Sequence, residues 1–318
     1  MIINRISIVI TLAVLLSVIF VLQSCEKDDS GSAQIPDSPY TLEYGNLPAP
    51  VIPADNPLTK YGVELGRKLF YEKKLSLDNS ISCASCHSQE TAFSDTNTVS
   101  LGVGGSPGNR QAMSVFNTLW HSNEFFWDGR AHLLRDQALR PIQDSLEMRE
   151  TLPSVIAKLY NTNIYPELFR KAFGTPGIDE TRMSLALEQF MNSIVSYNSK
   201  YDDYLAGNAT LTPQEERGRF LFFTEYNPGF PANSGADCQH CHGGANFEND
   251  QYMNNGLDTD AEFTDLGREL VTNDPQDRAK FKVVSLRNIE LTPPYMHDGR
   301  FKTLEEVVDH YNLVKPSS

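Results

Sequence analysis

One pentapeptide pattern occurs twice. Cys83-Ala84-Ser85-Cys86-His87 and Cys238-Gln239-His240-Cys241-His242 both read C-x-x-C-H, with their first cysteines 155 positions apart. This is the attachment pattern of c-type haem. Each cysteine sulfur adds to one porphyrin vinyl group, and the following histidine then sits under the iron as its proximal ligand. Three other uses of the pairs stay open. A single four-cysteine zinc site leaves both histidines without a role. Redox-active pairs call for a thioredoxin-like βαβ pattern, which neither flank supplies. Plain structural disulfides are the third. Two covalently bound haem c groups account for all six residues.

The flanks repeat too. Leu65-Gly66-Arg67-Lys68-Leu69-Phe70 precedes the first motif, and Arg217-Gly218-Arg219-Phe220-Leu221-Phe222 the second. Downstream, Ser114-Val115-Phe116-Asn117 and Phe126-Trp127-Asp128-Gly129-Arg130 are matched by Ser285-Leu286-Arg287-Asn288 and Met296-His297-Asp298-Gly299-Arg300. The expectation is an internal duplication: a mainly α chain with two cytochrome-c-like haem domains in tandem, over 57–208 and 209–318. Apolar periodicity and end signals predict helices over 57–71, 133–138, 153–160, 165–173, 179–197, 213–224 and 303–312. Long Gly/Asn/Asp-rich loops are expected at 94–112 and 226–275. Strand signals are few.

The start of the chain reads as an export signal. From Ile6 to Leu22 runs an uncharged apolar stretch after Arg5, ending in Leu22-Gln23-Ser24-Cys25. Such a run suits a secretory signal better than a bilayer span, and a small residue before the cysteine resembles a bacterial lipobox. Residues 1–24 are therefore expected to be a lipoprotein signal peptide, with lipidated Cys25 as the membrane anchor. Residues 25–56, rich in Pro, Ser, Gly and acids, read as a flexible tether. The resulting address is exported and lipid-anchored, facing the periplasm or the cell surface. The chain carries 27 Lys and Arg against 41 Asp and Glu, a formal charge of −14, so a basic nucleic-acid footprint is excluded.

These segments, together with QALRPIQDSLEM and SLRNIELTPPYMHDGRF, resemble the bacterial di-haem cytochrome c peroxidases and their MauG-type relatives over about residues 57–312. The resemblance implies a peroxidatic haem on Cys83, Cys86 and His87, and an electron-entry haem on Cys238, Cys241 and His242. It places Glu147, 20 residues after Trp127, in the catalytic position. A carboxylate there can take the first proton of peroxide and return it to the leaving oxygen. Gln137 matches an amide of the distal pocket, and Trp127 the tryptophan between the haems. Asp128 and Arg130 brace the local turn or a haem propionate. An inter-domain calcium site falls on Gln111, Thr292 and Pro294; Gln111 stands where the family usually has the shorter Asn. Homodimers are common in the family.

Two positions depart from the peroxidase pattern. Val103 stands where many of the peroxidases carry a distal histidine that caps the first iron, and valine has no lone pair to offer. His121 is the nearest substitute. At the second haem no Met follows His297; Tyr311 lies 14 residues on, the MauG-type pattern, with His310 beside it as the alternative. The functions these features carry are three. The first is a peroxidase that reduces hydrogen peroxide with electrons from a periplasmic donor such as a small cytochrome c. The second is a MauG-type oxidase that uses high-valent haem to oxidise a protein or organic substrate. The third is a non-enzymatic electron-transfer lipoprotein, for which Glu147 and Gln137 would have no use.

Overall fold

A computed structural model describes residues 38–121 and 124–313. The export signal at 1–24, Cys25 and the first part of the tether lie outside the described residues. The described residues belong to one unit.

The first helix, α1 (Lys60–Phe70), is capped by Thr59, whose hydroxyl accepts from the Gly62 N–H. Its glycines are contact points. A Cβ on Gly66 would fall 1.9 Å from the Ala186 carbonyl oxygen, so only glycine allows the partner helix this close. A run of short helices follows: α2 (Leu134–Ala138) and α3 (Arg140–Gln143). Next come α4 (Leu152–Tyr160), α5 (Tyr165–Phe173) and α6 (Glu180–Asn192). Helices α1 and α6 cross at the centre of the core, where Leu65, Leu69, Phe70, Met183, Ala186 and Leu187 are almost wholly buried. Burying a side chain of this kind contributes roughly 1.5–3 kcal/mol.

Helix α6 stops at Asn192, five residues short of the predicted 197. The backbone beyond it is bonded sideways: Asn117 N–H donates to Ile194 O (2.9 Å) and Ser196 N–H to the Asn117 side chain (2.7 Å). Tertiary partners have replaced the helical ones. The chain continues through α7 (Lys200–Leu205), α8 (Pro213–Phe223), α9 (Glu269–Thr272) and α10 (Leu304–Leu313). Helices α3, α7 and α9, of four to six residues, are absent from the sequence-based expectation. Among the described residues the only sheet is a pair of two-residue strands, β1 (Tyr252–Met253) and β2 (Phe281–Lys282). They are antiparallel, with Tyr252 opposite Lys282.

The tether expectation needs correction from Ser38 onward. Tyr40 N–H donates to Leu58 O (3.0 Å), Leu47 and Asn56 are buried, and the Trp120 indole donates to Pro48 O (2.8 Å). Asn56 also donates to Leu185 O and Glu188 on α6. Residues 38–56 therefore lie against the body. The Pro-rich composition marks extended backbone, and the aromatic and apolar residues spaced along it supply the packing.

Candidate active site

Each C-x-x-C-H motif begins as a single 3-10 turn, over Cys83–Ser85 and Cys238–His240. The first turn is fixed by a reciprocal Ser82–Ser85 cap. In each motif the histidine N–H closes back on the first cysteine's carbonyl, at 2.9 and 2.8 Å. The rings are held alike. His87 Nδ1 donates to Phe93 O (3.0 Å), and His242 Nδ1 donates to Phe247 O and Val284 O (3.2 Å each). A carbonyl on Nδ1 fixes the proton there and leaves Nε2 with its lone pair free for a metal. Burial keeps both imidazoles below their ordinary pKa, so they stay neutral, as ligands must.

The thiols fit thioether attachment. All four are unpaired. Burial pushes Cys83 up to about 12 and Cys86 up to about 11, so neither is disposed to be a thiolate ligand. Among the described residues no group of three or more His, Cys, Asp or Glu could hold a metal ion, so the four cysteines do not gather into a zinc site. Beside the second motif, Tyr201, Leu211, Phe222, Phe223 and Phe247 line an open apolar cavity of about 370 Å³. Lys200, Glu215 and Arg219 also line it, and an aromatic surface with charged groups at its margin suits a porphyrin.

Glu147 is brought to the first motif. Its carboxyl is buried and its pKa raised to about 7, mainly by desolvation, with Asp144 adding to the rise and Arg130 opposing it. It is near enough to Cys83 and Cys86 to raise both thiols. The loop bearing Val103 lies on the same segment: Val103 N–H donates to Glu147 O (2.8 Å). A Cβ on Gly102 would sit 2.0 Å from Leu146 O, so glycine is what lets this loop close down. Val103 itself is buried. Gln137, on α2, is partly exposed, and its side-chain amide has no hydrogen-bond partner among the described residues.

Trp127 is tied on two sides. Its indole donates to Gln111 O (2.8 Å), and its carbonyl accepts from Lys282 N–H of β2 (2.8 Å). Gln111 N–H in turn donates to His297 O (2.7 Å), so one residue links Trp127 with the position that repeats it. Gln111 is buried, with Nε2 on Ser94 Oγ and Asp95 O. Thr292 is buried and its hydroxyl donates to Ile289 O, while Pro294 follows a cis peptide bond. Asp128 accepts from Arg130 (3.0 Å) and Arg110 (2.6 Å), a brace for the turn. Arg110, which the sequence did not single out, also binds Asp265 through two nitrogens (2.7 and 2.8 Å).

His121 lies against two acids of the second half. Its Nδ1 lies 3.4 Å from Glu248 and 3.5 Å from Asp250. On α10, His310 Nε2 donates to Asn255 O (3.0 Å), and the Tyr311 hydroxyl accepts from Asn255 Nδ2 (3.4 Å). Half of the Tyr311 residue is exposed, yet its phenol is raised above its ordinary value. Burial of the oxygen is the first cause; Cys241 and Cys238 add to the rise and Asn255 opposes it.

A family model described as di-haem cytochrome c peroxidase matches residues 60–210. A methylamine utilization protein MauG from Methylophilus methylotrophus is 32% identical over 282 residues, covering 88% of this chain and 80% of its own. A cytochrome c551 peroxidase from Pseudomonas aeruginosa is 35% identical over 260 residues, covering 79% and 72%. Among solved structures, a MauG-like protein associated with microbial copper homeostasis is similar, with a TM-score of 0.77 and 35% identity. That match covers 85% of this chain and 81% of the other.

Proposed function

The chain belongs to the di-haem cytochrome c peroxidase family, and from that premise we infer that it reduces hydrogen peroxide with electrons from a cytochrome donor. The observation that carries the reading is the buried carboxyl of Glu147, with its pKa near 7, beside Cys83 and Cys86. A haem c held by Cys83, Cys86 and His87, and a second by Cys238, Cys241 and His242, supply the redox-active iron.

The side chains do the rest. Glu147, as carboxylate, accepts the proton of the incoming peroxide and delivers it to the departing oxygen. Its pKa near the working pH suits both directions of transfer. Gln137 offers its unpartnered amide to the bound oxygen species. Val103 presents a methyl surface where a ligating side chain would otherwise obstruct peroxide. Trp127, held to Gln111 O and to β2, is placed for electron transfer between the two sites.

Steady-state oxidation of a ferrous small cytochrome c by peroxide tests this. Turnover without prior reduction of the protein is expected; no turnover with any such cytochrome would overturn it. A second reading has its own support. Val103 and Tyr311 follow the MauG-type pattern. Under it, peroxide would drive oxidation of a protein or organic substrate while ferrous cytochrome stays unconsumed.

The finer organisation belongs to the same proposal. The haem domains divide near residue 208. Export with lipidation at Cys25 holds the protein at a periplasm-facing or surface membrane. A calcium ion takes oxygens of Gln111, Thr292 and Pro294, the closeness of Gln111 to His297 O supporting it. Two copies associate as a homodimer.

A further inference from the structure

One loop residue meets three groups around the second motif. Asn255 follows β1 and precedes Gly256, whose positive φ and hydrogen bond to Asn254 Oδ1 (2.9 Å) shape a tight turn. The turn is clamped to the 296–300 segment by Arg300, which donates to Leu257 O (3.1 Å) and to both carboxylate oxygens of Asp258 (2.8 and 2.9 Å). Asn255 is thus presented by a braced backbone. Its carboxamide has two N–H donors and meets two acceptors, Met296 Sδ at 3.3 Å and Tyr311 Oη at 3.4 Å. The Asn255 backbone carbonyl oxygen accepts from His310 Nε2 at 3.0 Å.

We propose that Asn255 is the positioning residue for Tyr311, holding its phenol oxygen with the side-chain amide while the Asn255 backbone carbonyl occupies the neighbouring imidazole. The proposal rests on the reading that His242 carries a haem. It explains a choice the sequence leaves open. His310 and Tyr311 are adjacent on α10, and either could ligate iron. With Nε2 bonded to Asn255 O, and its ring against Phe301 (5.4 Å between centroids), His310 is committed elsewhere. Tyr311, its hydroxyl accepting from Asn255 Nδ2 (3.4 Å), is left as the side chain to serve as ligand.

The amide does more than place the ring. A hydrogen bond donated to a phenolate oxygen draws charge away from the iron that the oxygen serves. Ferric iron is then stabilised less than by a bare phenolate, and the potential is higher. Asn255 therefore both selects the ligand and moderates its donation.

The test uses the haem-loaded mature protein. Asn255→Leu keeps the side-chain size and the backbone carbonyl that His310 uses, and removes the side-chain carboxamide with its N–H donor. Asn255→Asp replaces the donor with an acceptor and serves if the leucine variant fails to fold. Tyr311→Phe is measured alongside. Readouts are haem content per chain, the EPR g values of the low-spin ferric signal, and the reduction potential of the second haem. The expected result is unchanged haem content, shifted g values and a lower potential in the Asn255 variants, with loss of the tyrosine-dependent signal in Tyr311→Phe. If Tyr311→Phe changes the spectrum while the Asn255 variants match the parent in g values and potential, the proposal fails and the ligand reading stands. If Tyr311→Phe itself changes nothing, tyrosine ligation fails, and the positioning role with it.

Discussion

The two motif-bearing halves share their local geometry and differ in what supports it. Around each C-x-x-C-H turn the backbone repeats: a left-handed Phe93 or Phe247, a left-handed Asn117 or Asn288, and left-handed Phe126 and Gly129 against Met296 and Gly299. The repeated asparagines even converge. Asn117 donates to Ser196 O (3.0 Å) and Asn288 to Ser196 Oγ (3.1 Å). The supports behind these turns diverge. The first half rests on an apolar core running from Val63 to Met191. In the second, α8 buries none of its residues, and its aromatic side chains line an open cavity. The first half packs on itself, whereas the second offers its apolar surface to a bound group.

The contrast is tested most sharply at the peroxide chemistry that we assign to the first half. Glu147→Gln should lower kcat/KM for peroxide by about 10²–10⁴-fold, the usual worth of a placed acid–base group. Attachment of both haems should be untouched. The pH profile gives the sign. The carboxylate is the form that accepts the peroxide proton, so the parent's rate should rise as pH climbs through about 7. That limb should be missing from the glutamine variant. Stability runs the other way. A carboxyl raised by burial favours the protonated folded state, so its contribution is full below the ordinary carboxylate range and is lost as pH rises through about 7.

The supports can be tested by removing the anchors. Cys238→Ser with Cys241→Ser should expose the segment from α8 to Phe247 to limited proteolysis. Loss of even one buried aromatic surface is worth roughly 1.5–3 kcal/mol, or about tenfold or more in local opening. Cys83→Ser with Cys86→Ser should leave α1 and α4–α6 protected. Equal cleavage in both double variants would erase the distinction between a self-packed half and a cofactor-dependent one.

One repeated position records the divergence directly. Phe116 is buried and apolar, while its counterpart Arg287 is a buried cation. Arg287 binds both oxygens of Asp202 (2.8 Å each) and donates to Ala245 O (2.7 Å). Burial tends to raise Asp202, but the guanidinium outweighs it and holds the carboxyl at about 2. Arg287→Leu leaves the Ala245 carbonyl without its partner and Asp202 with only its bonds from Ser199. It should cost about 3–5 kcal/mol by denaturant unfolding, against less than about 1.5 for Phe116→Leu. For the parent, the Asp202 contribution is present above the ordinary carboxylate range and fades as pH falls through about 2; the Arg287 variant should lose that acid limb.

Much of this was legible because covalent chemistry and local periodicity leave short-range marks. The paired motifs, the helix at 165–173 and the Thr212 cap are local statements. So was the spacing from Trp127 to Glu147, although that Glu147 lies half-buried near the cysteines depends on Gly102 letting a distant loop close over it. What escaped depends on contacts far apart in sequence. Helix α6 ends early because Asn117, 77 residues before Ile194, takes over its backbone bonds. Arg110 and Asn255 carry no motif of their own, and their partners Asp265 and Tyr311 lie 155 and 56 residues away. The tether was misread from 38 onward because proline-rich composition describes backbone conformation, not whether aromatic residues along it find a surface.

The smallest expected difference lies at the caps of the helices that precede each motif. Thr59 caps α1 through the Gly62 N–H (3.1 Å), and both its hydroxyl and its N–H also donate to Gln189 Oε1 (3.1 and 2.9 Å). Thr212 caps α8 in a reciprocal box with Glu215, at 3.3 and 2.7 Å, on exposed surface. Substituting alanine at an N-cap costs about 0.5–2 kcal/mol. Thr59→Ala should fall near the upper end, since the lost hydroxyl also served Gln189 at the crossing of α1 and α6. Thr212→Ala should fall near the lower end, because Glu215 keeps its bond to the residue 212 N–H and its ion pair with Lys200. Equal losses in thermal unfolding would mean that α8 is as firmly integrated as α1, and the contrast between the halves would not extend to the helices that lead into them.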